Sequence, residues 1–92
     1  MLLIVAYDLH PSPARDYSVI EDAVRSCGAS AHLQGSVWVV DTMLTPRAVT
    51  DKLTAASHPR DSFFVAQLHQ NWWSRGLTET LVDWLKGTPR RW

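Results

Sequence analysis

The run from Leu2 to Leu9, LLIVAYDL, stays apolar or aromatic up to a single carboxylate, Asp8. A continuous apolar run of this length, closed by turn residues, reads as a strand buried on both faces. The loop that follows, His10-Pro11-Ser12-Pro13-Ala14, is broken twice by proline, so Asp8 falls at a sheet edge. The period then changes. Tyr17, Ile20, Ala23, Val24 and Cys27 recur at spacings of three and four, which predicts a helix over 16–27. Asp16 can cap it, or Ser18 with Glu21 as a capping box, and Gly28 stops it.

A short strand is predicted over 30–34, then a turn at Gly35-Ser36. A second central strand follows over 36–42, where Val37, Trp38, Val39 and Val40 are strong strand formers. Thr45-Pro46 is an N-cap followed by proline at the first helical position, and Val49, Leu53 and Ala56 carry a second helical stripe. Residues 61–68, DSFFVAQL, form the last predicted strand of the core, with Phe63, Val65 and Gln67 on one side and Phe64, Ala66 and Leu68 on the other. Strand, helix, strand, strand, helix, strand is the order of an α+β, ferredoxin-like βαββαβ antiparallel sheet. In that arrangement the first strand lies between the third and fourth. Asp8, the loop 10–16, the turn 34–36 and residues 60–62 then share one edge.

Helices in this fold cover one sheet face, and a face left to water should alternate apolar and polar residues. Leu2, Ile4 and Ala6 are as apolar as Leu3, Val5 and Tyr7, so something covers the second face. A symmetry mate is the simplest cover and the C-terminal segment 69–92 is another. That segment holds Trp72, Trp73, Trp84 and Trp92, and Leu77, Leu81, Trp84 and Leu85 give a third helical stripe ending at Lys86-Gly87. Packing against the sheet or a partner is favoured over base stacking, because few arginines are interleaved with these aromatics. Thr88 to Trp92 reads as a loose tail.

The chain of 92 residues is expected to be one domain, with a core over 1–68 and the tryptophan-rich segment over 69–92. A domain this small buries a limited core, which adds to the expectation of a homodimer. The hydrophobic content of 46% and charged content of 20% fit a soluble protein, and no apolar run is long enough to span a bilayer. The N-terminal run lacks the basic region and length of a secretory signal, so a cytoplasmic location and no membrane contact are expected. Cys27, the single cysteine, sits at an apolar helix position and reads as a small core side chain. Nine basic and nine acidic residues cancel, which argues against tight unspecific binding to phosphates.

Asp8 is the leading candidate for chemistry. A carboxylate at a strand end can hold Mg²⁺, which takes one or two carboxylates plus water and phosphate, and two copies of Asp8 in a dimer could share one ion. Accepting hydrogen bonds from loop amides is an equally good account of it. Ser36 and Gln34 could orient water or phosphate, Arg15 could contact a phosphodiester, and His10 could carry protons at neutral pH. Asp16 reads as a helix cap and Asp61 as a turn residue. His32, His58 and His69 lack zinc-ligand spacing, and neither a phosphate-binding glycine loop nor a GxSxG elbow is present.

Tyr7-Asp8 ending a hydrophobic strand, an amphipathic helix ending near Gly28, and Gln34-Gly35-Ser36-Val37-Trp38 opening the third strand together resemble the CRISPR-associated protein 2 superfamily. That grouping is related to the virulence-associated protein D toxins. The likeness spans 2–68, and AYDLH with Asn71-Trp72 and Trp84 resembles its small stand-alone members. The resemblance implies a ferredoxin-like homodimer and a metal-dependent endonuclease of RNA or DNA, toxin-like in some members. It implies that Asp8 binds Mg²⁺ at the dimer interface and that Ser36 assists catalysis. It equally admits a noncatalytic dimeric scaffold that binds nucleic acid or a protein partner. The chain departs from the superfamily in its proline-rich loop after the first strand and in ending on a tryptophan-rich helix rather than a fifth strand.

Overall fold

A computed structural model describes residues 1–11, 15–87 and 89–92. Its elements are β1 (Leu2–Asp8), α1 (Ser18–Arg25), β2 (Ala29–Gln34), β3 (Val37–Asp41), α2 (Pro46–Ala55), β4 (Ser62–Gln67) and α3 (Glu79–Lys86). The class is α+β, with the four strands in one antiparallel sheet ordered β2-β3-β1-β4. β1 thus pairs on one side with β3, Leu3 opposite Val40 and Val5 opposite Trp38. On its other side it pairs with β4, Val5 opposite Val65 and Asp8 opposite Ser62. The most apolar strand is central because only there are both its faces and both its edges removed from water.

Local chemistry sets the helix ends. The Asp16 carboxylate accepts from the Ser18 amide at 3.0 Å and hydroxyl at 2.6 Å. These bonds hold its pKa below the ordinary carboxylate value. Thr45 Oγ1 accepts from the Ala48 amide at 3.1 Å with proline in the first turn of α2, and Thr78 Oγ1 accepts from the Leu81 amide at 3.3 Å to start α3. Helix α1 stops before Gly28, where a Cβ would lie 2.2 Å from the Asp41 carbonyl oxygen. Glycine is needed there for close approach to β3, besides ending the helix.

The odd-numbered side chains of β1 enter the first core. Leu3 and Val5 pack with Val24, Cys27, Trp38, Val40, Val49 and Leu53 beneath α1 and α2, and Cys27 is the small core side chain its position implied. The second face is covered from within the chain. Leu2 and Val39 pack against Leu85 of α3, flanked by Leu33, Leu68, Trp72, Leu77, Trp84 and Trp92. Of the two covers the missing alternation allowed, the C-terminal segment therefore fills the half of the face near Leu2. A second copy is not needed there.

The C-terminal residues are docked, not loose. Arg91 N donates to the buried Asp41 carboxylate at 3.2 Å, the Arg90 guanidinium stacks 3.9 Å over Trp84, and Trp92 joins the second cluster. Asp41 also attracts the N-terminal ammonium, 3.9 Å away, so one buried carboxylate ties both chain ends to β3. Thr88, the first residue of that expected tail, and Ser12 to Ala14 of the proline-rich loop lie outside the described residues. The other half of the second face stays open. Ile4, Ala6 and Ala66 are half-buried and Phe64 is 68% exposed. Among the described residues no helix is long and apolar enough to cross a membrane.

Candidate functional site

The edge at the end of β1 gathers the residues that sequence reasoning assigned to it. Asp8 is the last residue of β1, opposite Ser62 at the start of β4. The Tyr7 amide donates to the Ser36 carbonyl at 3.1 Å, which brings the β2–β3 turn against the same strand end. Gln34 ends β2 beside a bulge in the pairing with β3, and both Gln34 and Ser36 are exposed. The His10 amide donates to Asp61 Oδ1 at 2.8 Å, and its ring stacks on that of His58 with centroids 4.8 Å apart.

The carboxylate that organises this edge is Asp61. Its side chain is fully shielded from solvent. Arg15 donates to Oδ1 at 2.6 Å and to Oδ2 as well, forming a two-point clamp, while the His10 and His58 amides donate to the same carboxylate. The Arg15 contact first, and the two amides after it, hold the Asp61 carboxyl well below its ordinary value of 3.8 against the opposing effect of burial. The same contact pushes the Arg15 guanidinium further up. Asp61 does mark a turn, but its main work is to fasten the loop after β1 to the approach of β4.

This changes the standing of two residues. Arg15, expected to reach a phosphodiester, has its guanidinium occupied by Asp61 and by the His10 carbonyl at 3.1 Å. Among the described residues, the two amides that bond a carboxylate at this edge, those of His10 and His58, go to Asp61 and not to Asp8. Asp8 is exposed, and among the described residues its carboxylate makes no hydrogen bond or ion pair. Strand alternation puts it on the side of Ile4 and Ala6, next to the open half of the second face.

Sequence reasoning gave two further features no role, although it placed residues 60–62 at this edge. Arg60 lies exposed at this edge, its backbone amide bonded to His58 Nδ1 at 3.1 Å and its guanidinium without a partner among the described residues. Its position just ahead of β4 was the available signal. Beneath the edge, Trp38 Nε1 donates to the Tyr7 hydroxyl at 3.0 Å, and His32 stacks on the Trp38 ring at 4.4 Å. These contacts stiffen the strand that ends in Asp8.

Among the described residues, no three His, Cys, Asp or Glu side chains come together in one chain as a metal site would require. Asp8 fits Mg²⁺ in donor chemistry, as an uncommitted carboxylate, but one chain supplies one such group at this edge. No family model matches the chain, and no curated protein matches it significantly.

Proposed function

We propose that this chain is a ferredoxin-like relative of the CRISPR-associated protein 2 superfamily that works as a homodimeric, Mg²⁺-dependent endonuclease on RNA or DNA. The observation that carries the reading is Asp8, an exposed carboxylate without a partner among the described residues, at the tip of the central strand. The strand order, with β1 antiparallel to both β3 and β4, supports the fold, and the open apolar strip Ile4, Ala6, Phe64 and Ala66 supports the dimer. A twofold contact over that strip would bury it and bring two Asp8 side chains to one interface, which supplies the pair of carboxylates a single chain lacks.

Bound by the two Asp8 carboxylates, Mg²⁺ would activate water and offset charge developing on phosphate. The chain's own residues hold the substrate. Ser36 and Gln34, exposed at the hairpin tip, offer a hydroxyl and an amide to phosphate oxygens, and Arg60 offers a cation that is unpaired among the described residues. His10, held by its stack on His58, is the proton carrier at this edge.

The second reading, a noncatalytic dimeric scaffold for nucleic acid or a protein partner, is favoured by one observation. Arg15, the cation that the loop brings to the edge, is consumed by Asp61. Cleavage assays on single- and double-stranded RNA and DNA separate the two readings. The nuclease account expects cleavage that needs Mg²⁺ or Mn²⁺ and is abolished by Asp8→Ala with an unchanged circular dichroism spectrum. Cleavage that survives chelation or the substitution would overturn it, and a saturable complex without turnover would leave the scaffold.

A further inference from the structure

The residues after β4 form an open cavity of about 520 Å³ lined by Trp72, Trp73, Trp92, Leu85, Lys86 and Gln70, with Ser74 and Val82 completing its wall. It lies at the opposite end of the sheet from Asp8, because Leu68, just past β4, bonds back to Leu2 at the start of β1. The volume is within the range that takes a small organic ligand, roughly 300–1,000 Å³. Two properties of its lining select the ligand.

The first is the aromatic walls. Trp72 and Trp92 present nearly parallel faces, 19° apart in plane with centroids 6.4 Å apart, and are half-buried by the second core. Trp73 contributes nothing to that core and is 94% exposed. An indole left in water at the mouth of a cavity lined by two others forms a stacking surface for a flat π system. The second is polarity. The lining carries indole N–H groups, the Gln70 amide, the Ser74 hydroxyl and the Lys86 ammonium, and no Asp or Glu side chain. Among the described residues none of these side-chain groups has a hydrogen-bonding or ionic partner. Flat aromatic walls with unpaired donors and one cation fit a flat, acceptor-rich, anionic molecule.

We propose that this cavity binds a nucleotide, its base stacked on the tryptophans and its phosphate held by Lys86. The proposal does not rest on the nuclease reading, since no residue of the Asp8 edge takes part. The ligand is either a free mononucleotide or an unpaired nucleotide within a strand, which present the same chemistry.

The test follows the indole N–H resonances of the ¹⁵N-labelled protein on titration with adenosine 5′-monophosphate, adenosine, and a single-stranded hexamer of deoxyadenylate. Adenosine monophosphate should shift the resonances of Trp72, Trp73 and Trp92, and adenosine should bind at least about fivefold more weakly for want of the phosphate. Lys86→Ala should bring the monophosphate to the level of adenosine. Trp73→Ala should weaken binding by about tenfold at an unchanged unfolding temperature, because the side chain it removes is exposed. Tighter binding of the hexamer assigns the site to a strand, and equal binding assigns it to the free nucleotide. The absence of shifts up to about 10 mM ligand, equal affinity for adenosine and its monophosphate, or wild-type binding by Trp73→Ala would each overturn the proposal. The readout is confined to the tryptophan resonances at the far end of the sheet from Asp8, so failure of the nuclease reading leaves this result unaffected.

Discussion

At the scale of single residues, the edge of the sheet divides its labour between two aspartates. Asp61 is structural: its carboxylate receives a guanidinium and two backbone amides. Asp8 has no such duty among the described residues. The division has a consequence for acid stability. Because the folded state holds Asp61 below its ordinary pKa of 3.8, the unfolded chain takes up the proton first as pH falls. Its contribution is therefore complete above about pH 4 and is lost as pH drops from there toward the depressed folded value. Asp61 is shielded but Arg15 keeps some contact with solvent, which screens the pair in part, so Asp61→Asn should cost about 2 kcal/mol at neutral pH. That is roughly a 10 °C fall in melting temperature for a domain of this size. Melting curves from pH 7 to pH 2 check it: the acid-induced fall should be shallower in the variant, and an unchanged fall would remove Asp61 as its cause.

At the scale of elements, periodicity carried most of what was legible. The apolar run of β1, the helical stripe of α1, the Thr45-Pro46 start of α2 and the alternation of β4 are local patterns, and each element formed where its pattern lay. Boundaries moved by a few residues, as at α1, which is Ser18–Arg25 rather than 16–27: the Asp16 carboxylate bonds the Ser18 amide from ahead of the helix, and residues 26 and 27 fall in the turn that closes it. The long-range pairings were not legible. Nothing in the spacing of Arg15 and Asp61, 46 residues apart, marks them as partners. The fate of residues 89–92 was hidden for the same reason, since it depends on a carboxylate of β3. Helix α3 has only eight residues and is too short to hold itself. Its one fully buried anchor is Leu85, 3% exposed against Leu2 and Val39. Leu85→Ala should cost about 2–3 kcal/mol and weaken the near-ultraviolet circular dichroism of the tryptophans. A variant that keeps both stability and signal would show that α3 is not held by this contact.

At the scale of the whole molecule, the missing alternation in β1 called for a covered second face, which the structure shows at the Leu2 end, but did not distinguish its cover. A docked helix and a second copy bury the same kind of surface. The chain's own tryptophan segment covers the Leu2 end, and the Asp8 end keeps an apolar strip with Phe64 exposed. The dimer proposed on that strip and the paired Asp8 site stand or fall together. Their most direct test is the stoichiometry of Mn²⁺ binding, followed by electron paramagnetic resonance on protein whose oligomeric state is measured in parallel. The account predicts one ion for every two chains in the wild type, none in Asp8→Ala, and none in a monomeric Phe64→Gln that still folds. One ion per chain, or binding that persists without the Asp8 carboxylate, would contradict it.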